Sequence, residues 1–78
     1  MEPPPPTADE MAALIRRYLH NRNTPPNVEV GLRELLTGMA RYRSPEIFAG
    51  INAGVQLGWW LDGPNGRIIP TAQGVRQD

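Results

Sequence analysis

The chain has 78 residues and no cysteine, so it can form one small domain whose core comes from packing alone, without disulfides or a thiolate metal site. No apolar run approaches the roughly 20 residues of a membrane-spanning helix, and the start, Met1-Glu2 followed by prolines, lacks the basic flank and apolar stretch of a signal peptide. The basic residues, all arginine, balance the acidic ones to a formal net charge of zero, which argues against a strongly basic nucleic-acid-binding domain.

The sequence predicts three parts of the chain, the first of which is rich in proline. Residues 1–6 are expected to be an extended, poorly ordered leader, residues 7–75 a folded domain, and residues 76–78 a short tail. Without a membrane span or a signal peptide, we expect a cytoplasmic protein with no membrane partner.

The first predicted helix runs from Ala8 to about Asn21. Thr7 and Glu10 have the spacing of a capping box at its start. Its apolar side chains recur at helical spacing, at Met11, Leu14, Ile15, Tyr18 and Leu19. His20, the single histidine, lies in the last turn, where a positive charge meets the negative end of the helix dipole, so it is expected at the surface and not as a metal ligand.

A loop and a short strand should separate this helix from the second. Two prolines predict a loop from Asn23 to Asn27. Val28-Glu29-Val30 alternates apolar and charged residues, which predicts a short strand at the edge of the later hairpin. The second helix should run from about Leu32 to Met39 or Ala40. Its inward residues are Leu32, Leu35, Leu36 and Met39.

The third predicted helix runs from Pro45 to about Leu57. Ser44 should cap it, with proline at the first helical position and the acid Glu46 in the first turn. Its expected buried side is Ile47, Phe48, Ile51, Gly54 and Val55. Its expected outward side is Glu46, Ala49, Gly50, Asn52, Ala53 and Gln56.

A β-hairpin is predicted after this helix. Trp59-Trp60-Leu61 should form the first strand and Arg67-Ile68-Ile69 the second, joined by a tight turn at Gly63-Pro64-Asn65-Gly66. Pro70 should end the second strand because it lacks a backbone donor, and Thr71 should start a turn or helix.

In this order the segments resemble the winged helix-turn-helix superfamily of bacterial regulators. The segments that carry the resemblance are Arg33-Glu34-Leu35, the turn Met39 to Arg43, the helix from Ser44, Leu57-Gly58-Trp59, the wing Asp62 to Arg67, and Pro70-Thr71-Ala72-Gln73-Gly74. The last of these is similar to the Leu-Thr-x-x-Gly exit from the wing, with Pro70 in place of leucine. The resemblance covers about Thr7 to Val75 and implies an α+β fold of three helices and a C-terminal hairpin wing.

The resemblance also implies a small DNA-binding protein, a transcriptional regulator or accessory factor, whose third helix enters the major groove. The residues that would contact DNA are Arg41, Tyr42, Arg43, Ser44, Asn52, Gln56, Asn65 and Arg67. The chain departs from the pattern because no basic residue lies between Arg43 and Arg67, and Glu46 would face phosphates unfavourably.

An alternative is a protein-interaction module on the same scaffold, as a homodimer or as a subunit of an assembly. The superfamily's architecture implies that Trp59 turns inward against Leu35 and Ile51, which leaves Trp60 exposed as an interface anchor beside a small-residue helix face. Equally, Gly50 and Gly54 could make room for a helix inside the monomer.

Enzyme chemistry is not expected. The chain has no phosphate-binding glycine loop and no pair of histidine or cysteine ligands. Ser44, Glu46 and Asp62 are explained by cap and turn roles. We therefore expect no catalytic residue, no metal, no cofactor and no small-molecule substrate.

Overall fold

The computed structural model of the protein describes residues 4–75, in which four helices and a two-stranded antiparallel hairpin form a small α+β domain. The helices are α1 (Ala8–Asn21), α2 (Leu32–Gly38), α3 (Ser44–Gln56) and α4 (Ala72–Val75). The strands are β1 (Trp60–Asp62) and β2 (Ile68–Pro70), joined through a 3-10 turn at Pro64–Gly66. The α+β class agrees with the prediction, and three helices followed by a hairpin are compatible with a winged helix; within residues 4–75 the predicted strand before α2 is absent, and α4 is a fourth helix. Residues 1–3 of the predicted leader and the whole predicted tail lie outside the described residues.

The predicted capping box begins α1. The Thr7 hydroxyl accepts a hydrogen bond from the Glu10 backbone N–H at 3.2 Å, and the Glu10 carboxylate accepts one from the Thr7 N–H at 2.9 Å. Hydrogen bonding of the carboxylate to the Thr7 backbone N–H, and to a smaller extent to the Thr7 side chain, lowers the pKa of Glu10 because it favours the charged form. The buried face of α1 consists of Met11, Ala12, Ile15 and Leu19.

The segment between α1 and α2 contributes a single bridge to the hairpin, not the predicted strand. Val30 pairs with Ile68, with N···O distances of 2.7 and 3.0 Å. Asn27 adopts a positive φ of 67° and donates its N–H to the Pro70 carbonyl at 2.8 Å. Among the described residues, backbone pairing between this segment and the hairpin is limited to the Val30 bridge and this bond from Asn27, so no regular strand forms.

Two glycines allow α3 to pack closely inside the monomer. A Cβ on Gly50 would lie 2.5 Å from Cγ of Met11 in α1, and one on Gly54 would overlap the indole of Trp60. The small-residue face therefore serves intramolecular packing, as one of the two interpretations held. The expected outward position of Gly50 was wrong.

The burial of α3 is rotated from the predicted face. Ile47, Gly50, Ile51 and Gly54 are buried, whereas the side chain of Phe48, predicted in the core, is 43% exposed. The helix turns its glycines towards α1 and β1 because they allow the closest approach, and this rotation moves Phe48 outward.

The two tryptophans are exchanged relative to the prediction. Trp60 is fully buried, and its indole N–H donates to the Ile51 carbonyl at 2.8 Å. Trp59 is only partly buried, beneath the guanidinium of Arg16, which lies 4.6 Å from a ring centroid. Gly58 turns the chain with a φ of +79°, and β1 begins at Trp60, one residue later than predicted. Because successive strand side chains point to opposite faces, this one-residue shift directs Trp60, and not Trp59, into the core.

The hairpin pairs Trp60 with Pro70, Leu61 with Ile69, and Asp62 with Ile68. Pro70 is the last residue of β2, so the strand ends at Pro70 as predicted, and the Pro70 carbonyl accepts the bond from Asn27. The predicted new start at Thr71 is confirmed, since the Thr71 hydroxyl accepts from the Gly74 N–H at 3.2 Å at the beginning of α4.

Candidate functional site

The turn between α2 and α3 presents two of the arginines predicted to contact DNA. Arg41 and Arg43 are exposed, while Tyr42 is half-buried against the core. Ser44 is exposed but does not cap α3, because the N-cap residue is Arg43 and no side chain makes a capping hydrogen bond. The predicted cap was therefore wrong, and Ser44 is the first residue of the helix.

The two predicted amide contacts on α3 lie on its exposed surface. Asn52 and Gln56 line a shallow groove between α3 and the first turn of α1, beside Asp9. Both side chains are accessible to a partner. The acid next to them would repel a phosphate backbone.

The basic residue of the wing is already paired. Arg67 donates to the Glu29 carboxylate at 2.9 Å, and both side chains are about half exposed. An exposed pair of this kind stabilises the fold by about 1 kcal/mol at most, but it cancels the net charge that Arg67 would offer to a phosphate. Asn65 lies in the turn of the hairpin, and its side chain is not described.

A groove between α3 and the hairpin carries the exposed Phe48. We call it the hairpin groove; its volume is about 320 Å³. It is lined by Leu32, Phe48, Ile51, Asn52, Asp62 and Gly66. Leu61 of β1 is also 58% exposed. The groove therefore combines an accessible aromatic ring with a carboxylate and contains no basic side chain.

A second concavity, of about 380 Å³, lies between α1 and the turn that precedes α3. We call it the arginine concavity. It is lined by Leu14, Arg17, Tyr18, Asn21, Gly38, Met39, Arg41 and Tyr42. No acidic residue belongs to this lining, and within residues 4–75 neither Arg17 nor Arg41 forms an ion pair.

Tyr18 is held in a defined position in this concavity. Its ring lies so close to Gly38 that a Cβ there would overlap it. Arg22 donates a hydrogen bond to the Tyr18 hydroxyl and forms an ion pair with Glu34 at 3.1 Å. The hydroxyl raises the pKa of Arg22, with a smaller contribution from Glu34. The contact with Gly38 and the hydrogen bond from Arg22 thus both restrict the position of the Tyr18 ring.

Only part of these surfaces was predicted from the sequence. Arg41 and Tyr42 were predicted, but as DNA contacts, and no role was predicted for Arg17. The positions of Arg17, Tyr18 and Asn21, within a turn of one another, were the available signal. Trp60, predicted as an interaction residue, is buried and cannot be an exposed anchor.

Comparison of the chain with family models, with curated proteins and with solved structures finds no match. Among residues 4–75, no helix has both the length and the apolar character needed to cross a bilayer. The same residues bring together no group of three or more His, Cys, Asp or Glu side chains suited to a metal ion.

Proposed function

We propose that this chain is a protein-interaction module on a winged-helix scaffold, and that its partner docks in the hairpin groove. The observation that carries the proposal is the exposure of Phe48 on the side of α3 that faces the hairpin. An accessible aromatic ring in a partly apolar groove is typical of an interface anchor, because its burial by a partner removes a large apolar area from water.

The winged-helix assignment is supported by the order of the elements. A turn connects α2 to α3, and the hairpin follows α3 directly. The segment before α2 adds an isolated bridge from Val30 to Ile68 of β2, at the edge where a third strand of the hairpin sheet would lie. This arrangement of three helices and a hairpin is the one that the resemblance implies.

The charges around α3 favour a protein over DNA as the partner of this face. Glu46 lies in the first turn of α3, Asp62 lines the hairpin groove beside the helix, and Arg67 of the wing is neutralised by Glu29. A duplex laid along α3 would bring phosphates towards these carboxylates, and α3 itself contains no arginine at which counterions would be released. A protein partner has no such requirement for a basic surface.

The test compares Phe48→Ala with Leu57→Ala in a tagged full-length chain. Leu57 is 46% exposed, close to the value for Phe48, and lies just beyond the end of α3 and outside the hairpin groove. We expect the wild-type chain to retain a protein from a lysate of the source organism after nuclease treatment, the Leu57 variant to retain it equally, and the Phe48 variant to lose it. Sedimentation over a concentration range identifies the case in which the partner is a second copy.

Equal retention by both variants would contradict the proposal, as would loss of the retained protein on nuclease treatment. Circular dichroism melts of the two variants establish that the Phe48 variant is folded. A chain that remains monomeric and retains no protein that depends on Phe48 would also count against it.

DNA binding is the second candidate, and a different observation favours it. Arg41 and Arg43 are exposed in the turn before α3, and within residues 4–75 neither is neutralised by an ion pair. With so few phosphate contacts, the affinity should be modest and should fall steeply with salt.

A labelled random-sequence duplex titrated at low salt tests this candidate. Arg43→Ala should weaken binding, whereas Arg33→Ala, an equal loss of charge on α2, should have a smaller effect. An absence of binding at low salt, or equal effects of the two substitutions, would argue against DNA contact by the turn.

A further inference from the structure

We propose that the arginine concavity binds a short acidic peptide segment of a partner protein, with a carboxylate held by Arg17 and Arg41 and an apolar side chain resting on Tyr18. This site is separate from the hairpin groove and does not depend on the function proposed for that groove. It uses another side of the domain, between α1 and the turn before α3.

The charge of the concavity points to an anion. Two guanidinium groups line one small depression, and no carboxylate lies among the lining residues to compensate them. Other arginines of the domain are engaged: Arg22 by Glu34, and Arg67 by Glu29. Like charges that share a concavity repel each other, and a carboxylate placed between them relieves that repulsion.

The polar side chains of the lining can all donate hydrogen bonds. The two arginines and the Asn21 amide carry N–H donors. The Tyr18 hydroxyl already accepts from Arg22, so its own hydrogen is available to a ligand oxygen. Because Gly38 and Arg22 fix the Tyr18 ring, this donor is positioned before a ligand arrives, which lowers the entropy lost on binding.

The apolar part of the lining distinguishes a peptide from a free inorganic anion. Leu14, Met39 and the tyrosine rings offer a surface on which an aliphatic or aromatic side chain can pack. Arginine next to tyrosine is also a typical composition of protein-binding hot spots. The ligand expected here therefore carries a carboxylate and an apolar side chain close together.

The limited extent of the basic surface favours a peptide over nucleic acid. The neighbouring concavity, which contains Arg41 and Arg43, is also lined by Glu46 and by Pro4 to Pro6. A polyanion needs a continuous track of cations along its backbone, whereas one or two carboxylates need only the pair present here.

The test measures the anisotropy of a fluorescein-labelled peptide, Ser-Glu-Glu-Leu-Phe-Glu-Ser, titrated with the full chain. A second labelled peptide with glutamine at each glutamate position is the ligand control. We expect the acidic peptide to bind and the glutamine peptide to bind at least about tenfold more weakly, since each charged hydrogen bond contributes more than a neutral one.

The protein variants are Arg17→Gln and Arg41→Gln, with Arg33→Gln as the matched control. Arg33 is exposed on α2 and does not line the concavity. Each of the first two should lower the affinity about tenfold, and the control less than about twofold. Phe48→Ala should bind the peptide like the wild type, so failure of the hairpin-groove proposal is distinguishable from failure of this one.

Three results would overturn the proposal. One is no anisotropy change at millimolar protein. Another is an equal loss of affinity in the Arg33 control, which would indicate long-range charge and no defined site. The third is tighter binding of a labelled oligothymidine through Arg17 and Arg41, which would identify nucleic acid as the ligand. Thermal melts confirm that each variant is folded.

Discussion

The two sides of α3 show opposite relations between hydrophobicity and burial. On the side that faces α1 and β1, Gly50 and Gly54 are buried and carry no side chain. On the side that faces the hairpin groove, Phe48 carries one of the largest apolar side chains of the domain and is 43% exposed. The buried side also carries Ile47 and Ile51, so glycines and isoleucines share the core face while the aromatic ring remains partly exposed.

This difference shows that the face of α3 that is buried is the one that neighbouring side chains can approach most closely. Glycine lets Met11 and the Trp60 ring lie directly against the backbone of α3, and this contact gains dispersion energy over a large area. Phe48 contributes less to the core, and its exposure is the observation on which the proposed interaction surface rests.

The largest effect is expected from Trp60→Ala on the buried side. This removes an indole that is fully buried and hydrogen-bonded to Ile51, at a cost of roughly 3–5 kcal/mol in the free energy of unfolding. A domain of this size has about that much stability, so the variant should be largely unfolded. Trp59→Ala should cost about 1–2 kcal/mol, since that ring is partly exposed and gains mainly from Arg16. Urea denaturation followed by circular dichroism measures both, and a larger loss for Trp59 would reverse the assignment of the core tryptophan.

Gly54→Ala should come next. The added Cβ would overlap the Trp60 ring, which the bond to Ile51 holds in place, so either the ring or β1 must shift. We expect a loss of about 2–3 kcal/mol, even though alanine is the better helix former. Combining Gly54→Ala with Trp60→Phe should cost less than the sum of the separate losses, because the smaller ring makes room. Additive losses would show that the two residues do not share this contact.

Gly50→Ala should have a smaller effect on the same side. Its Cβ would lie 2.5 Å from Cγ and 2.9 Å from Cβ of Met11, a smaller overlap than at Gly54, and because both atoms lie next to the α1 backbone, the two helices must shift slightly apart. The net loss should be about 1 kcal/mol after the gain in helix propensity is included. A gain in thermal stability would mean that Gly50 behaves as an exposed helical glycine, which is the position that the sequence predicted.

Local signals in the sequence located most elements of the fold, but not the strand predicted at Val28-Glu29-Val30 or the cap predicted from Ser44. The capping box at Thr7 and Glu10, the proline-rich loop, and the glycines of the hairpin each act through backbone geometry within a few residues, and each was located correctly. The errors in side-chain orientation arose where contacts between residues distant in the sequence determine which face is buried. The orientation of the tryptophans depends on a one-residue choice of strand start, which Gly58 and the bonds from Thr71 to Gly58 and Trp59 determine.

The candidate surfaces were less predictable for the same reason. Arg17 and Arg41 are far apart in sequence and line one concavity only because α1 lies beside the turn before α3. The neutralisation of Arg67 likewise depends on Glu29, which the bridge between Val30 and Ile68 places nearby. The sequence suggested arginines as contacts to a partner because of their residue type. Only the tertiary arrangement shows which arginines form ion pairs with carboxylates and which do not.

The smallest effect on stability, and the one that best separates the two sides of α3, is expected from Phe48→Ala. Because the ring is 43% exposed, its truncation removes only part of the transfer free energy of a buried phenylalanine, and alanine is favoured in a helix. The loss should be about 1 kcal/mol or less, below the losses for Trp60 and Gly54. Retention of the fold together with loss of a partner would assign Phe48 to binding. If urea denaturation instead showed a loss of about 3 kcal/mol or more, as for a fully buried ring, Phe48 would belong to the core, and the contrast between the two sides of the helix would disappear.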